Sequence, residues 1–232
     1  MCTLTYIPTS TGFVISSSRD ELNTRSTQPP AKYLHKQQTL IYPKDLQAGG
    51  TWIAANQHGS LVCLLNGAFE HYVPFKKYPK SRGQVVLNRF DYDHPLDFWE
   101  NISLEDTESF TLVCIEPLPT NQIFEFIWDE KSKYSRPIPS EQPFIRSSAT
   151  LYDKASQVER KQWFQEWIHR HREIEDKNII KFHNHPQDHD QESSIAILRS
   201  NGLQTVSLSQ FIVQGKQKQF NPKYALEIRS EG

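Results

Sequence analysis

The chain lacks most of the features that would assign it to a class at sight. Its 26 Lys and Arg balance 27 Asp and Glu, for a formal net charge of -1. That balance gives no electrostatic basis for binding nucleic acid or an acidic membrane surface. No apolar run approaches the ~20 residues a membrane-spanning helix needs. The start has no basic segment followed by a long apolar stretch, so no secretory signal is legible. The three Cys are an odd count without CxxC spacing, which argues against a disulfide framework and a zinc ribbon. Internal repeats and low-complexity tracts are also missing. These absences predict one ordinary globular domain over residues 1–232, in a reducing, cytoplasmic setting, with no cofactor, no nucleic acid and no membrane span. They do not set its oligomeric state.

The scarce residues are informative in position. Methionine occurs only as Met1, and Cys2 follows it. A side chain as small as Cys at position 2 normally allows Met1 to be removed, which leaves a thiol and a free α-amine on one residue. The thiolate is the nucleophilic form. An α-amine titrates near ~7.7–8.0 and can act as a general base at neutral pH. A Thr hydroxyl activated by its own terminal amine works this way. Cys63 and Cys114 lie inside apolar runs and read as small core residues.

Cys2 to Ile7 alternates as a strand, a turn cluster follows from Pro8 to Gly12, and Phe13 to Ser18 reads as a second strand. If Ile7 pairs with Phe13 or Val14, Cys2 comes opposite Ser18 or Arg19. Residues 23 to 48 read as an extended polar surface excursion. Thr51 to Ala55 and Leu61 to Leu65 read as short strands. Ser81 can cap a helix over Arg82 to Phe90, and Pro95 can open another through Trp99. Phe110 to Glu116 and Gln122 to Trp128 read as a strand pair. Asp153 to about Ile174 reads as a long helix, with Ala155, Val158, Trp163, Trp167 and Ile174 toward one face. Ser193 to Leu198, Thr205 to Val213 and Tyr224 to Ile228 close the chain as strands. Sheet segments at both ends with helices grouped between them predict an α+β fold.

Several motifs could carry chemistry. Arg19 beside a thiol would favour the thiolate, and Asp20 could orient an α-ammonium. Alternation sends Ser18 and Asp20 to one face and Arg19 to the other, so both flank Cys2 only if the strand ends or bulges there. A surface salt-bridged strand end is the competing reading. Asn66 offers an amide donor and Gly67 a backbone N–H, which together could hold an oxyanion; Asn-Gly is equally a hairpin-turn signal. Gly49-Gly50-Thr51-Trp52 reads as a tight turn with a core aromatic. His183-Asn184-His185 and Asp188-His189-Asp190 match no zinc spacing and read as a polar loop.

Taken in order, these pieces resemble a known family. Met1-Cys2, Arg19-Asp20-Glu21, Arg25, Pro29, Gly49-Gly50-Thr51-Trp52, Gly59, Leu65-Asn66 and Ser81-Arg82-Gly83 are similar to the NRDE family, that of transport and Golgi organisation protein 2. Ser147-Ser148-Ala149-Thr150-Leu151-Tyr152, Ser194-Ile195 and Thr205-Val206-Ser207 resemble its later signatures, so the likeness covers roughly residues 2 to 210. The family in turn resembles N-terminal nucleophile hydrolases of the choloylglycine hydrolase and penicillin V acylase branch. The resemblance implies a four-layer αββα sandwich of two antiparallel sheets, with the N-terminal hairpin inside one of them. It also implies cleavage of a non-peptide C–N amide bond through an acyl-enzyme. Position by position, Cys2 matches the nucleophile, Asp20 the carboxylate that holds the α-amine, and Asn66 the oxyanion asparagine. Ser147 or Ser148 falls roughly where that branch has a second polar residue.

Two positions depart from the pattern. The eponymous motif begins with Asn where this chain has Ser18, which would stand near the nucleophile. The branch carries an activating Arg three residues before the Asp, where this chain has Ser17; Arg19 adjoins Asp20 instead. The substrate expected is a small-molecule amide, in a pocket with apolar walls. The alternative from another class is a non-catalytic protein that binds or traffics an apolar ligand, as proposed for family members in haem handling and Golgi organisation.

Overall fold

The computed structural model describes residues 3–72, 77–117, 121–171, 176–185, 194–214 and 223–227. The N-terminal hairpin forms β1 (Thr3–Thr9) and β2 (Gly12–Leu22). Ile7 pairs with Val14 and Thr3 with Ser18, a register that follows from the short turn at Ser10 and Thr11. The hairpin lies inside a five-stranded antiparallel sheet rather than at its edge. β10 (Phe144–Ser147) flanks β1, while β11 (Leu203–Gln214) and then β12 (Lys223–Glu227) lie beyond β2.

The second sheet is a seven-stranded antiparallel meander. Its strands are β3 (Thr27–His35), β4 (Gln38–Asp45), β5 (Ile53–Asn56), β6 (Leu61–Asn66), β7 (Phe110–Glu116), β8 (Gln122–Trp128) and β9 (Lys133–Ile138). Strand alternation builds the layers. Leu4, Tyr6, Phe13 and Ile15 join Leu61, Cys63, Leu65 and Val113 in one core. The Cys63 thiol reaches Ser17 Oγ across that gap at 3.5 Å. The opposite face of the first sheet, through Ile7 and Val14, packs on Phe164 of α3 (Lys154–Arg170) and on Ile179 and Phe182 of α4 (Asp176–Asn184). The outer face of the second sheet is covered by α1 (Arg82–Asn88) and α2 (Pro95–Asn101), with Trp99 stacked on Phe126 at 4.9 Å. This is the expected α+β sandwich of two antiparallel sheets, with a helical layer on each outer face.

The Ser81 cap acts where the sequence places it, and Asp153, expected as the first residue of the long helix, caps it instead. Ser81 accepts from the Gly83 N–H at the start of α1, and Asp153 accepts from the Ser156 N–H at the start of α3, each satisfying an otherwise orphaned donor.

Four expectations are corrected, and one strand, β9, is added. Residues 23 to 48 are not an excursion, because most of them form β3 and β4. β3 is an edge strand whose exposed side chains hide the period (Leu34 is 81% exposed), and Pro29-Pro30 sits at a register shift between Gln28 and Ala31. An edge bulge is one of the few sheet positions that tolerate proline. β9, the other edge, was likewise masked by exposed residues and Pro137. Ser194 to Ile197 is buried but forms bends rather than a strand. Its carbonyl oxygens at Ser194 and Ile195 accept from the buried Arg160 guanidinium at 2.7 and 3.1 Å. On α3, Val158 is 57% exposed, while Arg160 and Phe164 are the buried residues; Ile174 lies outside the described residues. His183 belongs to α4 and is fully buried, so it is no part of a polar loop. Asp188, His189 and Asp190 lie outside the described residues.

Candidate active site

Cys2 lies outside the described residues. What can be read is the frame that ends beside it. Thr3 pairs with Ser18 of β2 on one side and with Ser147 of β10 on the other.

Alternation divides the motif that runs from Ser18 to Glu21. Arg19 is 2% exposed and turns toward the second sheet, where its guanidinium lies 4.9 Å from the Trp52 ring and 3.5 Å from an Asp45 carboxylate oxygen. Burial pulls its pKa down, with Glu21 and Asp45 opposing; a guanidinium stays charged regardless. Ser17, two residues earlier on the same strand, faces that same side. Arg19 therefore brings a cation to the face on which the sequence has Ser17 in place of the branch's arginine.

Asp20 turns the other way and is buried. It accepts from Tyr152 Oη at 2.8 Å and from Thr205 Oγ1 at 2.6 Å. Opposite this pair, β11 shifts register between Thr205 and Ser207. A bulge of this kind re-aims side chains and is common beside active sites. The irregularity is thus in the neighbouring strand rather than in β2.

Ser18 turns to the α4 layer. It is fully buried, and its Oγ lies 2.8 Å from His183 Nδ1, while Thr5 Oγ1 lies 2.8 Å from His183 Nε2. The expected substrate contact by Ser18 is therefore corrected: strand alternation directs it to the α4 layer. Burial, then the nearby Arg160 charge, pushes the His183 pKa down to about 3, so the imidazole bridging these hydroxyls is neutral.

Asn66 ends β6 and pairs with Phe110. Its partner is 44 residues on, across the segment that contains α1 and α2, so Asn66-Gly67 is not a two-residue hairpin turn. Gly67 is left-handed, with φ of 85°, and an added Cβ would meet Ala149 and Thr150 at 3.0 Å. Glycine is required there on both counts. Its N–H donates to the Ser109 carbonyl at 3.0 Å. That corrects the expected role of Gly67, because the donor is already committed. The Asn66 carbonyl accepts from Ser148 Oγ at 2.8 Å and from the Ala149 N–H at 3.1 Å, so Ser148 is a buried clamp on the β6 end.

A cavity of about 540 Å³ takes in Arg19, Trp52, Leu64 and Asn66. Two of the sequence motifs meet on it. Gly50 packs so tightly on Gly83 that a Cβ would fall 2.6 Å from the Gly83 carbonyl carbon, and the Thr51 N–H donates to the Gly83 carbonyl at 3.2 Å. Gly50 thus serves close approach rather than a turn alone. The cavity walls carry many charged and polar side chains. Arg25 spans Asp45 at 2.8 Å and Glu21 at 3.2 Å, and Arg82 meets Glu108 at 3.0 Å. Burial pushes Asp45 up, but the Ala48 N–H and the Arg25 charge outweigh it and hold the carboxyl below its ordinary range. Ser147 lines a separate cavity of about 450 Å³ with Phe69, Tyr134 and Arg146. The expected site residues therefore divide: Arg19 and Asn66 share one cavity, Ser147 lines another, and Ser18 and Ser148 are buried.

Cys63 and Cys114 are fully buried, and burial pushes both thiols up to about 12. Neither is a nucleophile at neutral pH. Among the described residues, no group of three His, Cys, Asp or Glu side chains could hold a metal ion. Sequence reasoning missed Tyr152, Thr205, Asp45 and His183 as partners of the site. Tyr152 and Thr205 lie 132 and 185 residues from Asp20, and only the sheet order joins them. The one available signal was the recurrence of Tyr152 and Thr205 within motifs already singled out.

Solved structures share this fold. A Caenorhabditis elegans N-acylethanolamine-hydrolyzing acid amidase ortholog superposes with a TM-score of 0.61 at 10% identity, covering 91% of this chain and 92% of that one. A mutant conjugated bile acid hydrolase from Clostridium perfringens does so with a TM-score of 0.59 at 8% identity, over 100% and 97% of the two chains. A second variant of that hydrolase gives 0.54 at 9% identity, with the same coverage. At such identities the likeness concerns the fold. No curated protein matches the sequence. Residues 1–224 match Transport and Golgi organisation 2, and the chain belongs to that family.

Proposed function

We propose that this protein is an amidohydrolase or acylase that cleaves a non-peptide C–N amide bond with Cys2 as nucleophile. The observation that carries the reading is the register around Thr3. One further step along its two ladders reaches Arg19 on β2 and Ser148 beside β10. The reading takes Cys2 to occupy that step, opposite the buried Arg19, whose side chain lines the same cavity as Asn66. The same fold in an amidase and in a bile acid hydrolase supports the reading.

With Met1 removed, the α-amine of Cys2 takes the thiol proton and the thiolate attacks the amide carbonyl carbon. Arg19 favours the thiolate by charge, and Asp20 orients the α-ammonium. The Asn66 side-chain amide stabilises the tetrahedral oxyanion. The C–N bond then breaks, the α-ammonium returns its proton to the departing amine, and a thioester remains. Water, deprotonated by the same amine, hydrolyses the thioester to a carboxylic acid and regenerates the thiol. One observation favours a second reading, a ligand-binding protein without turnover: the Gly67 N–H is bonded to Ser109, which leaves the oxyanion one side-chain donor.

Turnover of acyl anilides by chain purified without Met1 separates the two. The hydrolase reading expects activity that Cys2→Ala and a retained Met1 both remove, with the fold preserved. Saturable ligand binding with no release of aniline from any acyl length would establish the second reading.

A further inference from the structure

We infer that the 540 Å³ cavity beside Asn66 is an anion site, and that the ligand it takes carries a carboxylate or phosphate head group. The volume suits a small organic ligand. Five cationic side chains line it against three carboxylates. The carboxylates are already spoken for: Arg25 bridges Glu21 and Asp45, and Arg82 holds Glu108. Lys77 and Lys80 are left over. Neither ammonium has an ion-pair partner among the described residues, and both line the cavity.

The formal excess is therefore two positive charges, contributed by flexible side chains at a concave wall. Such a wall concentrates anions. Lysine recognises them as a point charge, without demanding the planar geometry a guanidinium prefers. Among the described residues, Trp52, Leu64 and the Tyr78 ring are the large apolar groups on the wall, too few to hold a long hydrocarbon chain. The inference rests on the proposed amide-cleaving reading in one respect: it places the anion on the polar part of the substrate, beside the scissile amide at Asn66.

Isothermal titration calorimetry of the full-length Cys2→Ala chain tests this without turnover. The probes are glutarate, its uncharged analogue glutaramide, and inorganic phosphate, each at two salt concentrations. Saturable binding of glutarate or phosphate is expected, weakening with salt, and none of glutaramide; the preferred anion identifies the head group. Lys77→Gln combined with Lys80→Gln is expected to weaken binding about tenfold or more, and the paired Lys→Arg variant to retain it. Both lysines are exposed, so the variants should fold as the parent does. Equal binding of glutaramide, no binding of either anion, or an unchanged titration of the double Gln variant (an adventitious ion only) would overturn the inference. Anion binding by a chain whose native Cys2 form releases no aniline would sink the hydrolase reading and leave this one standing.

Discussion

The two faces of β2 near its end carry opposite chemistry. Toward α4, Ser18 and Thr5 share a buried, neutral His183, and Asp20 is held by two hydroxyls. Toward the second sheet, Arg19 opens on a charged cavity. The difference teaches that a contiguous motif is not one functional unit. Alternation sorts it into a helix-facing half, where Ser18 is sealed against His183 and Asp20 is fixed for its part in the proposed reaction, and an open half that meets a ligand. Changes at Ser18 and His183 should therefore appear in stability, changes around Asp20 in stability and Cys2 reactivity, and changes on the open side in binding.

The largest expected effect is at His183. Replacing it with Ala strands two buried hydroxyls, at about 1–3 kcal/mol each, and leaves a cavity. Denaturant unfolding should show a loss of about 3–5 kcal/mol; a loss near zero would mean that this side is not sealed. The same residue gives a pH signature. Its folded pKa, about 3, lies below the ordinary ~6.5 of an unfolded His. The unfolded chain therefore binds the extra proton. The stabilisation is complete above pH ~6.5 and is lost as pH falls toward 3, at up to about 1.4 kcal/mol per pH unit. His183→Gln should remove that slope relative to the parent.

Smaller effects follow across the comparison. Gly50→Ala should force the turn off α1 and destabilise by about 1–3 kcal/mol, with weaker ligand binding as well, since this contact frames the cavity. Thr205→Val removes one donor to Asp20 and should lower stability by about 0.5–1.5 kcal/mol, with slower alkylation of Cys2. Lys80→Gln, on the open side, should leave stability within about 0.5 kcal/mol. A larger loss there would blur the distinction between the faces.

Where the period was undisguised, the sequence reveals the fold: β1 and β2 with their register, β7, β8 and the capped start of α1 follow from alternation and a capping residue. Legibility failed where burial and pattern part company. β3 and β9 are edge strands with exposed side chains and prolines. The buried run from Ser194 to Ile197 reads as a strand but serves Arg160 through its carbonyls. His183 sits in a segment rich in His, Asn and Asp, and its burial depends on hydroxyls 165 and 178 residues away. At the site, Arg19, Asp20 and Asn66 could be singled out, but not the cavity's polarity, because Asp45 at the end of β4 and Lys80 and Arg82 at the start of α1 arrive from separate segments.

The central claim is that Cys2 is an activated N-terminal nucleophile. It is tested most directly by peptide mass mapping of protein from its native source after brief, substoichiometric iodoacetamide treatment at neutral pH. The account predicts a chain without Met1 and a single adduct, on Cys2, while the buried Cys63 and Cys114 thiols, with pKa values pushed up to about 12, stay unmodified. Retained Met1, or labelling that reaches all three thiols equally or only after unfolding, would contradict it.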